Sequence, residues 1–361
     1  MDALKPDSGP GRHRPWWRDF ISVGPHNGAH RPALRVAAAI TTPLTLLLVL
    51  GHPSWSGYAV FGAVSAIYSK NPDYSARWRH QAAAGLALTI AVTTGAAVAA
   101  IAPGSLLAVA AMALLSLLGC LLTQSRHWKP NPALFLVFAA GTISAYPHTW
   151  QEVPLAAALA AGSAGFGIVL GQLGHLLPGH TRRQEPVLPA VPLRHLIRRS
   201  AFRTDAAAHL LAPLLAGGAA TMLGIGHPFW AAVSATVPMG AATLAAQLNR
   251  AGHRIAGTSL GLLLAVALLG ADPPLWFLVA AVVLLQTATE LFVARNYGIA
   301  VVFLTPLALV LGDLAASSPL PTLVADRFIE TLLGIAVSTA LLLSLRKRTS
   351  SRDSVIERIA G

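Results

Sequence analysis

Charged side chains embedded in apolar sequence are where this chain could do chemistry, because a charge at membrane depth is costly unless it is paired or used. Glu290 stands near the end of one apolar stretch, five residues before Arg295. Glu330 opens another, one turn after Asp326 and Arg327. The i,i+3 spacing puts Arg327 and Glu330 on one helix face, where they can form a structural pair. Burial favours the protonated form of a carboxyl group, so Glu290 and Glu330 are the proton-coupling candidates for driven efflux. Arg79 and Arg254 sit where a basic joint meets an apolar stretch. A guanidinium fork binds a carboxylate through two N–H donors, which makes them candidates for anion capture; the alternative is an anchor snorkelling to lipid headgroups. Trp55 and Trp230 could stack an aromatic substrate or belong to an interfacial aromatic belt. The thirteen His are scattered, and no His-Glu-x-x-His, paired Cys or carboxylate cluster is present, so neither a metal nor a cofactor is expected.

The elements that hold these residues follow from composition. Of 361 residues 54% are hydrophobic and 11% charged, and the mean hydropathy is +0.60. That is too little polar surface to cover a soluble fold of this size. An all-α polytopic membrane protein is expected. Apolar stretches lie at about 34–50, 54–69, 82–102, 105–123, 132–146 and 154–177, and again at 206–223, 229–247, 255–271, 274–293, 297–314 and 323–345. This predicts about 12 transmembrane helices: a tail (1–33), a first six-helix bundle (34–177), a basic linker (178–205), a second bundle (206–345) and a basic tail (346–361). The formal charge of +12 comes from Lys and Arg in alternate joints and the tails, with Arg327 the exception. The positive-inside rule then places both termini and the linker in the cytoplasm of a multi-pass inner-membrane protein. The same rule explains the basic charge without a nucleic-acid partner. Lipid and a small solute are the expected partners, and oligomeric state is not readable.

The chain repeats itself. Gly51-His52-Pro53-Ser54-Trp55 returns as Gly226-His227-Pro228-Phe229-Trp230, at a shift of 175 residues, and Arg79 meets Arg254 at the same shift. Asn131 and Phe138 match Asn296 and Phe303. Six helices per copy predict two parallel repeats about an axis along the membrane normal. Helix breakers also correspond. Pro306 interrupts the eleventh stretch where Gly141 stands in the fifth, and Pro238 interrupts the eighth. Matched interruptions point to a substrate pathway, so Gly141, Pro306 and Pro238 join the substrate-binding candidates.

These residues carry a family resemblance. Gly-His-Pro-Phe-Trp at 226–230, Arg254 with Gly257, Thr258 and Gly261, and Arg327 with Thr331 to Gly334 resemble the fusaric acid resistance protein (FUSC) family. That family belongs with the aromatic acid exporters and is distantly similar to plant aluminium-activated malate transporters. The resemblance implies a non-enzymatic transporter exporting aromatic carboxylates or related organic anions. An anion channel on the same two-fold bundle is the alternative, followed by an enzymatic or non-transporting membrane protein. Larger family members carry a cytoplasmic domain after each bundle, whereas the linker here is under 30 residues.

Overall fold

The computed structural model describes residues 20–25, 30–68, 74–173, 189–315 and 319–360. The tail before residue 20 and the linker segment 178–188 lie outside the described residues. Thirteen α-helices follow in order. The first six are α1 (His30–Val49), α2 (Ser56–Ala63), α3 (Tyr74–Ile101), α4 (Leu106–Arg126), α5 (Ala133–Ser144) and α6 (Glu152–Leu173). A short α7 (Leu193–Arg198) occupies the linker. The rest are α8 (Ser200–Met222), α9 (Pro228–Thr236), α10 (Leu244–Leu269), α11 (Leu275–Val293), α12 (Tyr297–Ala315) and α13 (Leu320–Ala360).

Six helices are long and apolar enough to cross a membrane, on α3, α4, α6, α10, α11 and the first part of α13. The apolar parts of α1, α5 and α12 are shorter. Large apolar side chains such as Leu114, Leu263, Leu284 and Trp276 are exposed around the outside. A helical bundle with that outside suits lipid and not water. Inside, a core of Ala, Val, Leu and aromatic residues runs through both halves, from Val36 and Leu44 to Phe229, Leu262 and Leu309.

Two expected spans are broken. The stretch 54–69 is an eight-residue helix that tightens into a 3₁₀ segment, Val64–Tyr68. The stretch 229–247 is α9 followed by a 3₁₀ turn, Pro238–Gly240. Pro238 has no N–H for the ladder and its ring collides with the carbonyl four residues back, so α9 stops there. The chain then extends to Thr243, whose hydroxyl oxygen accepts from Ala246 N–H and caps α10. That start moves one boundary. Arg250 and Arg254, expected in or beside a joint, lie inside α10, because Ala, Leu, Gln and Arg sustain a helix whatever their hydropathy. For the same reason α13 runs through the expected tail to Ala360.

The two halves share local geometry. His52 and His227, each before a Pro, have φ/ψ of −116°/55° and −132°/63°. The helix before each ends on a left-handed glycine, Gly51 or Gly224. At both ends a six-to-one hydrogen bond closes the helix, His52 N–H to Leu47 O and Ile225 N–H to Ala220 O. Pro43 lies inside α1 and Pro213 inside α8. Helix pairings also correspond: α4 packs on α8 as α11 packs on α1, and α2 packs on α6 as α9 packs on α13.

Candidate functional site

Arg254 lies ten residues into α10, about 15 Å along the helix at 1.5 Å per residue. Arg327 lies seven residues into α13, about 10 Å along. Both guanidinium groups reach a common interior region from different helices, and Arg254 and Arg327 act on each other electrostatically. Arg254 is 2% exposed and Arg327 1%. Among the described residues no group accepts from Arg254 Nε and Nη2, nor from Arg327 Nε and Nη1. Buried ionised groups are normally hydrogen-bonded, so orphaned donors on two cations that act on each other are a strong departure.

Trp230 supplies one compensation. The Arg327 guanidinium carbon lies 3.6 Å from its ring centroid, a desolvated cation–π contact. α9 presents this ring because Pro228 opens the helix and the buried Trp230 is fixed by packing on Phe229. Close approach of α9 to α13 is set by Gly334, where a Cβ would collide with the carbonyl oxygen of Ala231. Gly257 and Gly261 similarly let α10 lie against the α12 backbone at Gly298 and Val302. Around the cations lie further buried polar atoms without partners: Trp230 Nε1, Ser234 Oγ, Thr258 Oγ1, Tyr297 Oη and Thr305 Oγ1. A polar seam therefore runs through the second half.

Arg327 and Glu330, expected to pair on α13, attract each other electrostatically, but no contact within 4 Å joins them. Arg327 turns to Trp230 instead. Glu330 is 0% exposed; its Oε1 accepts from the His227 backbone N–H at 2.8 Å, and its Oε2 has no donor. His227 Nδ1 lies 3.0 Å from Asp326 Oδ2. His227 thus meets both Asp326 and Glu330 of α13.

The other expected residues separate from this cluster. Arg79 is exposed on α3, its guanidinium 5.8 Å over the Trp78 ring, so it does not share the environment of its sequence counterpart Arg254. In the first half the buried arginine is Arg77, which donates to the Gly171 carbonyl at 3.0 Å. Trp55 is half-buried and stacked on His52 at 3.9 Å. Glu290 is half-buried and accepts from Gln286 Nε2 at 3.1 Å. Pro238 and Pro306 are buried where they interrupt α9 and sit within α12. Tyr297 was not singled out by sequence; a lone tyrosine following Asn296 carries no motif. Arg77 was hidden in the same way, two residues from the residue that matched the repeat.

Two cavities bracket the seam. One, about 210 Å³, is lined by Gly104, Ser105, Ser144, Gly226 and His227, with Gly141 at its side. These residues come from three joints poor in Lys and Arg. The second, about 290 Å³, is lined by Arg250, His253, Arg295, Asn296 and Tyr297, from joints and helix ends rich in them. Tyr297 lies at the second cavity and also within electrostatic reach of Arg327, which links that cavity to the seam. Among the described residues, no group of three or more His, Cys, Asp or Glu could hold a metal.

A family model described as fusaric acid resistance protein-like matches residues 215–341, α9 to α12 with the end of α8 and the first half of α13. That range holds Trp230, Arg254, Arg327 and Glu330. The second half of this chain is similar to that family. The chain is also 37% identical over 94 residues to the uncharacterized membrane protein YvaC of Bacillus subtilis (strain 168). The aligned stretch covers 26% of this chain and 15% of that relative. No solved structure matches. The likeness agrees with the apolar helices, which suit a membrane protein. The sequence resemblance pointed to the same family on the motifs around Trp230, Arg254 and Arg327.

Proposed function

We propose that the chain is a membrane transporter for organic anions, with aromatic carboxylates as the substrate class and Arg254, Arg327 and Trp230 as the binding site. One observation carries this reading: two buried guanidinium groups that act on each other electrostatically, each with two nitrogens that no described protein group accepts from. Two like charges in a low-dielectric interior repel, and a carboxylate between them would satisfy both forks at once. Trp230 adds a ring face beside that position, which suits an aromatic acid. The cavity at Arg250, His253 and Arg295 would gather anions at the basic end of the bundle, and the His227 cavity would release them at the other.

The orientation follows from charge. The Lys/Arg-rich joints face the cytoplasm of an inner membrane, with both termini and the linker on that side. Export is then the direction from the basic cavity outward. Two parallel repeats, 34–177 and 206–345, are supported by the matched His-Pro geometry, the helix ends and the exchanged helix pairings. The repeats differ at the site: the first half has no cation matching Arg327.

The test is efflux of a panel of aromatic carboxylates from proteoliposomes with an imposed membrane potential. Saturable efflux that exceeds that of protein-free liposomes supports the reading. Equal leak for every member of the panel refutes it. Discrete single-molecule currents would assign a channel on the same site.

A further inference from the structure

We infer that anion binding at Arg254 and Arg327 is linked to uptake of a proton by Glu330, so that the chain handles an organic acid as an anion together with its proton. This rests on the anion site proposed above. Glu330 is fully buried, one turn from Arg327 on α13, and keeps one carboxylate oxygen without a donor. When charged, it lowers the positive potential that the two guanidinium groups offer to a substrate. An anion arriving beside it makes its negative form harder to keep. The two effects are one coupling, reciprocal by linkage.

A route for the proton is present. His227 lines the cavity at the Lys/Arg-poor end, bonds Glu330 through its backbone and faces Asp326 through its ring. Asp326 and Glu330 are four residues apart on one helix and share a face. The charged and titratable groups that act on Glu330 are Asp326 and Arg327 on α13 and His227 before α9, while Arg254 on α10 and Tyr297 on α12 act on Arg327 beside it. The turn at Pro238–Gly240 brings none, and the Asp205 and His209 of α8 lie in its first turns, bonded to Gln124 and Asn131. Asp326 already has His227 as its partner, which leaves Glu330 as the group that answers the anion.

The sign reverses the expectation drawn from sequence. Binding that favours both ligands together moves proton and anion the same way. An acidic exterior would then oppose export and would not drive it. Export would run on the gradient of the acid itself.

The experiment measures proton uptake on adding benzoate to the detergent-purified full chain in weak buffer, and benzoate affinity between about pH 6 and 10.5, where a carboxylate ligand is ionised. The wild type should take up about 0.4 to 0.85 proton per benzoate at the pH of greatest uptake, and its affinity should fall across that range by a factor on the order of 5–150. Glu330→Gln should show no uptake and a pH-independent affinity near the acid-side value. Asp326→Asn should retain the uptake. Wild-type binding without proton uptake and without pH dependence overturns the linkage while leaving the anion site standing. So does uptake that disappears in Asp326→Asn and persists in Glu330→Gln. Absence of benzoate binding at every pH overturns the anion site and the linkage together. If Glu330→Gln does not fold, the wild-type proton count decides alone.

Discussion

Replacing Arg254 with Met separates a ligand-binding arginine from a structural one, because the two roles predict opposite signs of stability change. Met keeps much of the side-chain length and fills similar space, but removes a buried cation. Arg254 Nε and Nη2 have no acceptor, and Arg327 lies close enough to repel. The protein therefore bears the desolvation of that charge without a compensating bond. Substituting apolar groups for buried ionic ones is often neutral or stabilising, by about 1–4 kcal/mol. Arg254→Met should accordingly unfold at the wild-type temperature or higher in detergent. Anion affinity should move the other way. A charge-assisted contact is worth about 1.5–3 kcal/mol, so half-saturation for benzoate efflux should rise about 10- to 150-fold. Arg327→Met should behave alike, and the double variant should lose less than the sum, since both groups serve one ligand. Arg79→Gln is the contrast: its exposed guanidinium is remote from the seam, and half-saturation should stay within about two-fold of wild type. The readouts are thermal unfolding of purified protein and concentration-dependent efflux from proteoliposomes. A lowered unfolding temperature together with unchanged half-saturation in Arg254→Met would refute the reasoning, since it would mean the guanidinium holds the fold and touches no substrate.

Trp230→Phe should keep a ring under Arg327 and weaken benzoate affinity by less than Trp230→Ala, which forfeits a desolvated cation–π contact worth about 2 kcal/mol; equal half-saturation in both variants would sink the stacking role. Gly334→Ala should lower stability by about 1–3 kcal/mol, because the new Cβ meets the Ala231 carbonyl. Gly162→Ala, with open space around it, should be neutral by the same unfolding assay. For topology, a cysteine at Trp150 should react with an impermeant thiol reagent in intact cells and one at Arg198 should not. The native Cys120 is buried and should leave the background low; labelling at 198 from outside would invert the proposed orientation.

Membrane class was legible without coordinates, because lipid demands apolar side chains over nearly the whole length of the chain, and that requirement is a property of composition. The likeness of the second half to a family was legible too, because Gly226–Trp230, Arg254–Gly261 and Arg327–Gly334 are local patterns. Helix breaks at Pro238 were readable for the same reason: a missing N–H acts wherever it stands. Hydropathy, however, treats an arginine as the edge of a span. It put Arg254 beside a joint, whereas a helix capped at Thr243 carries it 15 Å inward by simple rise. Spacing alone paired Arg327 with Glu330, since both lie on one face. Which way each side chain turns depends on what the neighbouring helix offers, and α9 offers a ring to one and a backbone N–H to the other. Repeat equivalence made Arg79 look like Arg254, yet a one-dimensional match carries no information about depth or packing, and the first half buries Arg77 instead. Sequence thus determined the solvent the protein lives in and the side chains available for chemistry. Burial, orientation and the meeting of residues a hundred positions apart, such as His227 with Asp326 and Glu330, were decided only when α9, α10 and α13 packed together, because those properties belong to contacts between helices and not to any one of them.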